Sequence, residues 1–518
     1  MKPAEHYCIP PLDRVDSDEI LELIRRKKYI VLHAPRQTGK TSTMLALAHW
    51  LNASGEFDCL YINVEEGQAC KENVPEVIGI FLAEVAFRAA IMMRDESLGG
   101  LGRRILERVP PGTALKQFLS SWSTAAGKPV VLLVDEIDSL IGDSLISVLR
   151  QLRSGYDLRP ANFPQSVILC GVRDVRDYRI RSSAEGAHVT GGSAFNVKAE
   201  TLRLGDFSRG EVTTLLAQHL AETGQEFETG AVGRIWDLSR GQPWLVNALA
   251  YQACFKEKAG LDRGRPICVA AIDRAKETLI RKRVTHLDQL ADKLREARVR
   301  RVVEPLLAGS ERPGFTSRDL EYARDLGLIA RRAPVRIANP IYREVVPREL
   351  TYALQEGLNL ALGRFRANGG ALDVAALMER FQEFFRRHSE HWARRFGYDE
   401  AGPQLILQAF LQRVVNSGGQ IEREYGLGRR RTDLLIRWPL SDGAELNYVI
   451  ECKVLRRGRS MDRVVREGMR QTETYMDVCG AESGHLVVFD MRPGRSWEQR
   501  VFRRDPEPGG LPITVWGM

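Results

Sequence analysis

The run Tyr29-Ile30-Val31-Leu32-His33 leads into Ala34-Pro35-Arg36-Gln37-Thr38-Gly39-Lys40-Thr41-Ser42 and then into an apolar-periodic stretch ending near Leu51; no other feature constrains the fold of this chain as strongly. The apolar run reads as a buried strand, and the 3.6-residue period after Gly39 reads as a helix. A strand feeding a helix through a glycine-bearing turn opens a βαβ unit, so the expected surroundings are a parallel sheet covered by helices. Runs at residues 59–64, 130–134 and 166–170, with a weaker one around Leu202, supply the remaining strands.

The same loop implies a chemistry. A nucleoside triphosphate needs backbone N–H groups curled around phosphate at a helix N-terminus, a lysine for the β and γ phosphates, and a hydroxyl for Mg²⁺. Ala34, Pro35, Arg36, Gln37, Thr38 and Gly39 supply the loop, Lys40 the cation and Thr41 the hydroxyl, while Ser42 continues into the helix. Ala34 stands where the first glycine of the pattern is usual. The run from Val130 to Val134 ends in Asp135 and Glu136, one acid to hold Mg²⁺ and one to polarise an attacking water.

From Ser208 the pattern turns helical, with Ser208 and Glu211 spaced as a capping box and Gly241-Gln242-Pro243 breaking one helix from the next. Helices ending near Leu307 and at residues 317–326, followed by two short apolar runs at 327–330 and 335–338, suggest a small winged helix. The expected organisation is a nucleotide-binding core at 1–205, a helical lid at 206–296, the winged-helix unit at 297–350, a helical linker at 351–396 and a last domain at 397–518.

That last domain carries a second candidate site. Glu451-Cys452-Lys453 ends the apolar run Tyr448-Val449-Ile450. On a strand, Glu451 and Lys453 share one face and Cys452 takes the other, toward the core. Asp433 begins the preceding strand, which a turn at 439–444 returns antiparallel. Two acids to hold a divalent cation and an ammonium beside the attacking water are what metal-assisted phosphodiester hydrolysis requires. Gln471 and Tyr475, four apart, share a helix face, and Arg463, Arg466 and Arg470 on that helix suit phosphate contacts, as do the arginines at 429–431 and 456–459.

Two resemblances follow from these residues. Between residues 16 and 350 the chain resembles the AAA-like and STAND-related P-loop ATPases, through Ala34 to Ser42, Asp135 to Asp138, Ser239-Arg240-Gly241-Gln242-Pro243 and Ala338-Asn339-Pro340-Ile341-Tyr342-Arg343-Glu344. The resemblance implies ATP and Mg²⁺ as ligands, and the strand that lies between the two motifs in the sequence, residues 59–64, suits the additional-strand class of P-loop enzymes. It also implies a homo-oligomer in which one of Arg173, Arg176, Arg179 or Arg181 reaches a neighbour's nucleotide. From about residue 397 to 490 the chain is similar to the PD-(D/E)XK nucleases of the RecB-like branch, through Asp433, Glu451, Lys453, Gln471 and Tyr475. This second resemblance implies Glu400 as a further metal ligand, with Glu424 as its rival, and Mg²⁺ or Mn²⁺ as the metal. Together they give an α/β chain: a P-loop NTPase parallel sheet with helical lid and winged helix, plus a C-terminal α/β PD-(D/E)XK domain.

Charge and cysteine usage agree with that reading without compelling it. The chain of 518 residues has 75 Lys and Arg against 67 Asp and Glu, a net charge of +8 that favours a polyanionic partner; the expected partner is nucleic acid, with DNA favoured. Its eight cysteines form no C-x-x-C pair, which argues against a zinc site or disulfide framework and for the cytoplasm. The most apolar stretch, 74–93, is interrupted by charges and reads as a buried helix, so no membrane partner is expected. The expected function is an ATP-regulated, metal-dependent nuclease, of a kind at home in bacterial defence or mobile elements. Its alternative is a DNA-binding or signalling ATPase whose C-terminal fold only holds nucleic acid.

Overall fold

A computed structural model describes residues 5–173, 179–181, 188–190, 199–282, 292–294, 296–307, 314–350, 365, 367, 370–396, 402–415, 420–427, 430–440, 442, 444–492, 494–506 and 511–518. For some of these, Asp433 and Glu424 among them, the backbone alone is described. The chain divides into two compact units, one of Met1–His286 with Glu321–Arg332, the other of Leu287–Leu320 with Ala333–Met518.

The first unit is built on β1 (Tyr29–His33), β2 (Asp58–Asn63), β3 (Val130–Asp135), β4 (Ser166–Gly171), the short pair β5 (Arg179–Arg181) and β6 (His188–Thr190), and β7 (Ala199–Arg203). Five of them form a parallel sheet in the order β2-β3-β4-β1-β7, while β5 and β6 pair antiparallel by themselves. β4 lies between β1 and β3, whereas the run expected as the added strand, residues 59–64, forms β2 at the edge of the sheet beyond β3. The central strands read as unbroken apolar runs because both faces are covered. One face packs Ile20 and Ile24 of helix Ser17–Arg25 and Met44, Leu47 and Leu51 of helix Lys40–Ala53. The other packs helices Val74–Met92, Pro111–Ala125 and Gly142–Ser154. Helix Val74–Met92 buries Val77, Ile78, Phe81, Leu82, Val85 and Ala89, as expected of a core helix; among the described residues no helix is long and apolar enough to cross a membrane.

The helices after the sheet start where the sequence signals say. Ser208 and Glu211 form a reciprocal capping box on helix Arg209–Thr223. Pro243 opens helix Pro243–Tyr251, whose Leu245 N–H is capped by Gln242 Oε1 at 2.6 Å. The expected wing does not form strands: Ile329 and Ile337 are isolated bridge residues, separated by bends through Arg331, Arg332, Ala333 and Pro334. A proline has no N–H to give a strand ladder, which shortens any pairing there.

In the second unit β8 (Gln420–Leu427), β9 (Arg430–Pro439), β10 (Glu445–Leu455), β11 (Ser483–Asp490), β12 (Phe502–Arg504) and β13 (Ile513–Gly517) form a mixed sheet in the order β12-β13-β11-β10-β9-β8. β8, β9 and β10 form an antiparallel meander. Helix Met461–Cys479 then crosses over to β11, parallel to β10. The strands at β12 and β13 have no counterpart in the sequence reading. Helix Val374–Phe396, read as part of a linker, buries Leu377, Met378, Phe381 and Phe385 against Phe410, Phe489 and Trp516. Its apolar stripe has the helical period of a core element, so it belongs to the body of this unit.

Candidate functional site

Each half of the candidate nucleotide site ends a strand of the first sheet. After β1 the chain turns through Ala34, Pro35, Arg36, Gln37 and Thr38 to Gly39, whose φ of +96° is a left-handed conformation that glycine adopts without strain. Lys40 starts the helix, and its Nζ donates to the carbonyls of Ala34 and Pro35, each at 3.1 Å. Thr38 Oγ1 donates to Pro35 O at 2.8 Å, which tightens the loop. Arg36 and Gln37 are exposed at its tip, and Ser42 lies in the first helical turn.

Asp135 is fully buried at the end of β3. Its carboxylate accepts from Thr41 Oγ1 at 2.7 Å and Tyr61 OH at 3.1 Å on one oxygen, and from the Glu136 N–H at 2.9 Å on the other. These named donors are neutral, so a buried carboxylate beside a hydroxyl suits a divalent cation, and Thr41 and Asp135 would hold it. Burial raises the Tyr61 phenol pKa, with Asp135 adding to the effect, so Tyr61 stays a donor. Glu136 sits at φ +55°, and burial pushes its carboxyl above the usual range, reinforced by Asp138 and opposed by Lys40.

Residues 24–178 match the family described as the AAA domain. This segment is an AAA-type P-loop ATPase domain. Such a P-loop ATPase domain binds ATP, usually with Mg²⁺. Among solved structures, a Walker-type ATPase of Pyrococcus abyssi is 15% identical to this chain, with a TM-score of 0.44 over 64% of it and 94% of that chain. The RuvB Holliday junction branch migration motor of Thermotoga maritima is 14% identical, with a TM-score of 0.32 over 64% of this chain and 93% of that one. No curated protein matches the chain.

Three sets of contacts around the AAA domain's loop were not read from the sequence. Tyr61 reaches Asp135 from the neighbouring strand β2. Arg14, ahead of the first helix, donates to the Thr38 carbonyl. The segment Glu321–Arg332 also packs here: a Cβ on Gly327 would lie 3.0 Å from the Pro35 ring, His33 Nδ1 is 3.8 Å from Asp325 Oδ1, and Arg203 Nη2 donates to Arg324 O at 3.1 Å. None of these positions belongs to a spaced motif; each acts across the fold. Of the candidate finger arginines, Arg173 lies over the Tyr322 ring at 4.7 Å. Arg176 lies outside the described residues, and Arg179 and Arg181 are described only as backbone in β5.

In the second unit Glu451 is 3% exposed, and Lys453 Nζ donates to its Oε1 at 2.5 Å. The two lie on the face of β10 that Val449 shares, toward helix Met461–Cys479, while Cys452 is buried in the opposite core with Ile450 and Phe489. Gly468 and Gly484 let that helix approach: a Cβ on Gly468 would be 2.5 Å from Leu486, and one on Gly484 2.5 Å from Met476 Sδ. Tyr475 is buried among Leu435, Val449, Met476 and Ile513, whereas Gln471 is exposed, so the tyrosine packs rather than facing solvent beside Gln471. Arg463, Arg466 and Arg470 are exposed on the outer side, Arg463 paired with Glu467 at 2.9 Å. Asp433 stands next to Leu434, the register partner of Ile450; its side chain lies outside the described residues, as does the whole of Glu400.

Proposed function

We propose that the chain is an ATP-regulated, metal-dependent nuclease that hydrolyses phosphodiester bonds of DNA. The observation that carries this reading is the nearly buried Glu451 carboxylate with the Lys453 ammonium on one of its oxygens, in mid-strand on the face toward an arginine-bearing helix. The register supports it further. Continuing the β9–β10 pairing one step beyond Ile450↔Leu434 sets Asp433 level with Glu451, and the β8–β9 pairing between Arg423↔Leu434 and Tyr425↔Thr432 sets Glu424 level with Asp433. Three acids at one level of adjacent strands are a suitable donor set for Mg²⁺ or Mn²⁺.

Asp433, Glu451 and either Glu400 or Glu424 would hold the metal, which when bound supplies Lewis-acid stabilisation and a more acidic water. Lys453 offers its ammonium to the charge that develops on the phosphate, and Glu451 keeps that ammonium aimed. Arg466 and Arg470 hold the phosphodiester backbone by charge, without reading sequence. In the first unit Lys40 takes the nucleotide phosphates and Glu136 the proton of the attacking water. The winged helix, the arginine fingers and a homo-oligomer belong to the same reading, as does control of cleavage by the nucleotide state.

The test is incubation of the purified protein with plasmid DNA, linear DNA and RNA, with Mg²⁺ or Mn²⁺, with and without ATP. Cleavage that disappears in Asp433→Ala and Lys453→Ala is expected, and Lys40→Ala is expected to change its rate or its ATP dependence. Cleavage indifferent to Lys40→Ala would sink the regulatory part. A second reading, an ATPase whose last domain only binds nucleic acid, draws on the same pair: Lys453 and Glu451 neutralise one another within hydrogen-bond distance, as a structural ion pair does. It is preferred if no metal supports cleavage while DNA stimulates ATP hydrolysis.

A further inference from the structure

The loop expected to cradle phosphate is held from outside by a residue that no motif contains. Arg14 ends a short 3-10 turn, Pro11–Arg14, ahead of helix Ser17–Arg25. Its Nη1 donates to Thr38 O at 2.5 Å and its Nη2 to Gly205 O at 2.6 Å, with the guanidinium 4.7 Å from the centre of the Phe207 ring. A Cβ on Gly39 would come within 2.8 Å of Nη1, so the guanidinium lies directly against the turn.

A trans peptide fixes what this contact does. The C=O and N–H of one peptide unit point in opposite directions, so a cation holding the Thr38 carbonyl outward turns the Gly39 N–H to the other side of the loop. Successive N–H groups turned to one side are what binds anionic oxygen at a helix N-terminus.

The same guanidinium reaches the lid. Phe207, beneath it, donates its N–H to Gly241 O at 2.8 Å, and a Cβ on Gly241 would lie 1.9 Å from Phe207 O. Upstream, the Gln218 side chain pairs with both the N–H and the carbonyl of Cys8 at 3.0 Å, and Tyr7 OH is 3.3 Å from His219 Nδ1. The segment from Tyr7 to Arg14 is therefore fastened at one end to helix Arg209–Thr223 and at the other to the loop.

We infer that Arg14 is a positioning residue of the nucleotide site, which orients the Gly39 N–H toward phosphate and couples the loop to the turn at Gly241 in the lid. The inference rests on the reading of that loop as an ATP site. Arginine reaches the two carbonyls with two nitrogens of one fixed fork, whereas a lysine in its place would have to serve both from a single ammonium at the end of a flexible stem.

The experiment compares the full chain, Lys40→Ala, Arg14→Gln and Arg14→Lys by calorimetric titration with ATP and with ADP in the presence of Mg²⁺, together with steady-state ATPase rates and melting temperature. The expected result is that Arg14→Gln binds both nucleotides about tenfold more weakly, the loss of one charged hydrogen bond. The Michaelis constant should rise more than kcat falls, the melting temperature should stay within a few degrees, and Arg14→Lys should be intermediate. A folded Arg14→Lys or Arg14→Gln that binds ATP as tightly as the unaltered chain, while Lys40→Ala does not, overturns the role of Arg14 and leaves the ATP site standing. An unaltered chain that binds ATP no better than Lys40→Ala overturns the ATP reading itself, and the inference with it.

Discussion

Thr41 Oγ1 donates to Asp135 Oδ2 across 2.7 Å, so the first turn of a helix and the end of β3 share one hydrogen bond at the centre of the proposed ATP site. Thr41→Val keeps the shape of the side chain and removes the donor. It is expected to lower Mg²⁺-dependent ATP hydrolysis at least about tenfold, as loss of groups around a metal does, with little change in melting temperature. ATPase assays across a Mg²⁺ titration check this; an unchanged rate and metal dependence would falsify the assignment.

Glu136 follows in the left-handed region and is partly buried beside Asp138 and Lys40. Glu136→Gln removes the proposed general base while keeping the side chain's size. Hydrolysis should fall by about 10²–10⁴-fold with ATP binding retained. Equilibrium binding and turnover measured on one preparation separate the two effects.

The Glu451 and Lys453 pair yields two expectations. On the proposed nuclease reading, Glu451→Gln should abolish cleavage and metal binding at the last domain. On the same reading Lys453→Met should abolish cleavage too, and because it takes the ammonium from a carboxylate that is 3% exposed it should cost about 3 kcal/mol of stability. Nuclease assays alongside denaturant melts give both numbers. A Lys453→Met protein that cuts as fast as the unaltered chain would refute its role.

His485 on β11 is buried and takes its hydrogen bond from Trp516, whose indole N–H donates to Nδ1 at 3.1 Å, with Ser483 Oγ 3.3 Å from Nε2. A donor-only indole on Nδ1 requires that nitrogen to be unprotonated. Burial first, then Arg503, holds the pKa down to about 4 from the ordinary 6.5, against a smaller opposite pull from Asp373. Between those values the unfolded chain takes up a proton that the folded chain refuses, so stability falls as pH drops from 6.5 toward 4 and is unaffected above it. The full effect is on the order of 3 kcal/mol. Melting curves from pH 7.5 to 5 should show the decline for the second unit, and His485→Gln should flatten it.

Gly241, just ahead of helix Pro243–Tyr251, combines a φ of +82° with a backbone carbonyl, Phe207 O, where a Cβ would stand. A backbone neighbour cannot rotate away, so Gly241→Ala should cost about 2–3 kcal/mol. Denaturation with urea tests it, and a loss under about 0.5 kcal/mol would mean the turn relaxes easily.

The sequence was most informative where the physics is local. Strand, glycine turn and helix follow one another around Gly39 and Lys40, and the capping box at Ser208 and Glu211 closes within four residues, so both could be read without a fold. The alternation that sends Glu451 and Cys452 to opposite faces is equally local. Arg14 and Tyr61 could not be found that way, because their partners Thr38 and Asp135 lie 24 and 74 residues along the chain. Tyr475 shows the converse: helix spacing sets it near Gln471, but packing against Leu435 and Val449 decides where its ring goes.

The attachment of residues 7–14 has a practical consequence for anyone trimming the protein. Asp16 caps the first helix through the Glu19 N–H, so Ser17 looks like a natural amino-terminal boundary for a minimal ATPase fragment. A fragment cut there would retain all five parallel strands, Lys40 and both acids, and its circular dichroism would look native. It would have lost the guanidinium bracing Thr38 and the anchorage at Gln218, so a weak affinity measured on it would describe the cut and not the enzyme.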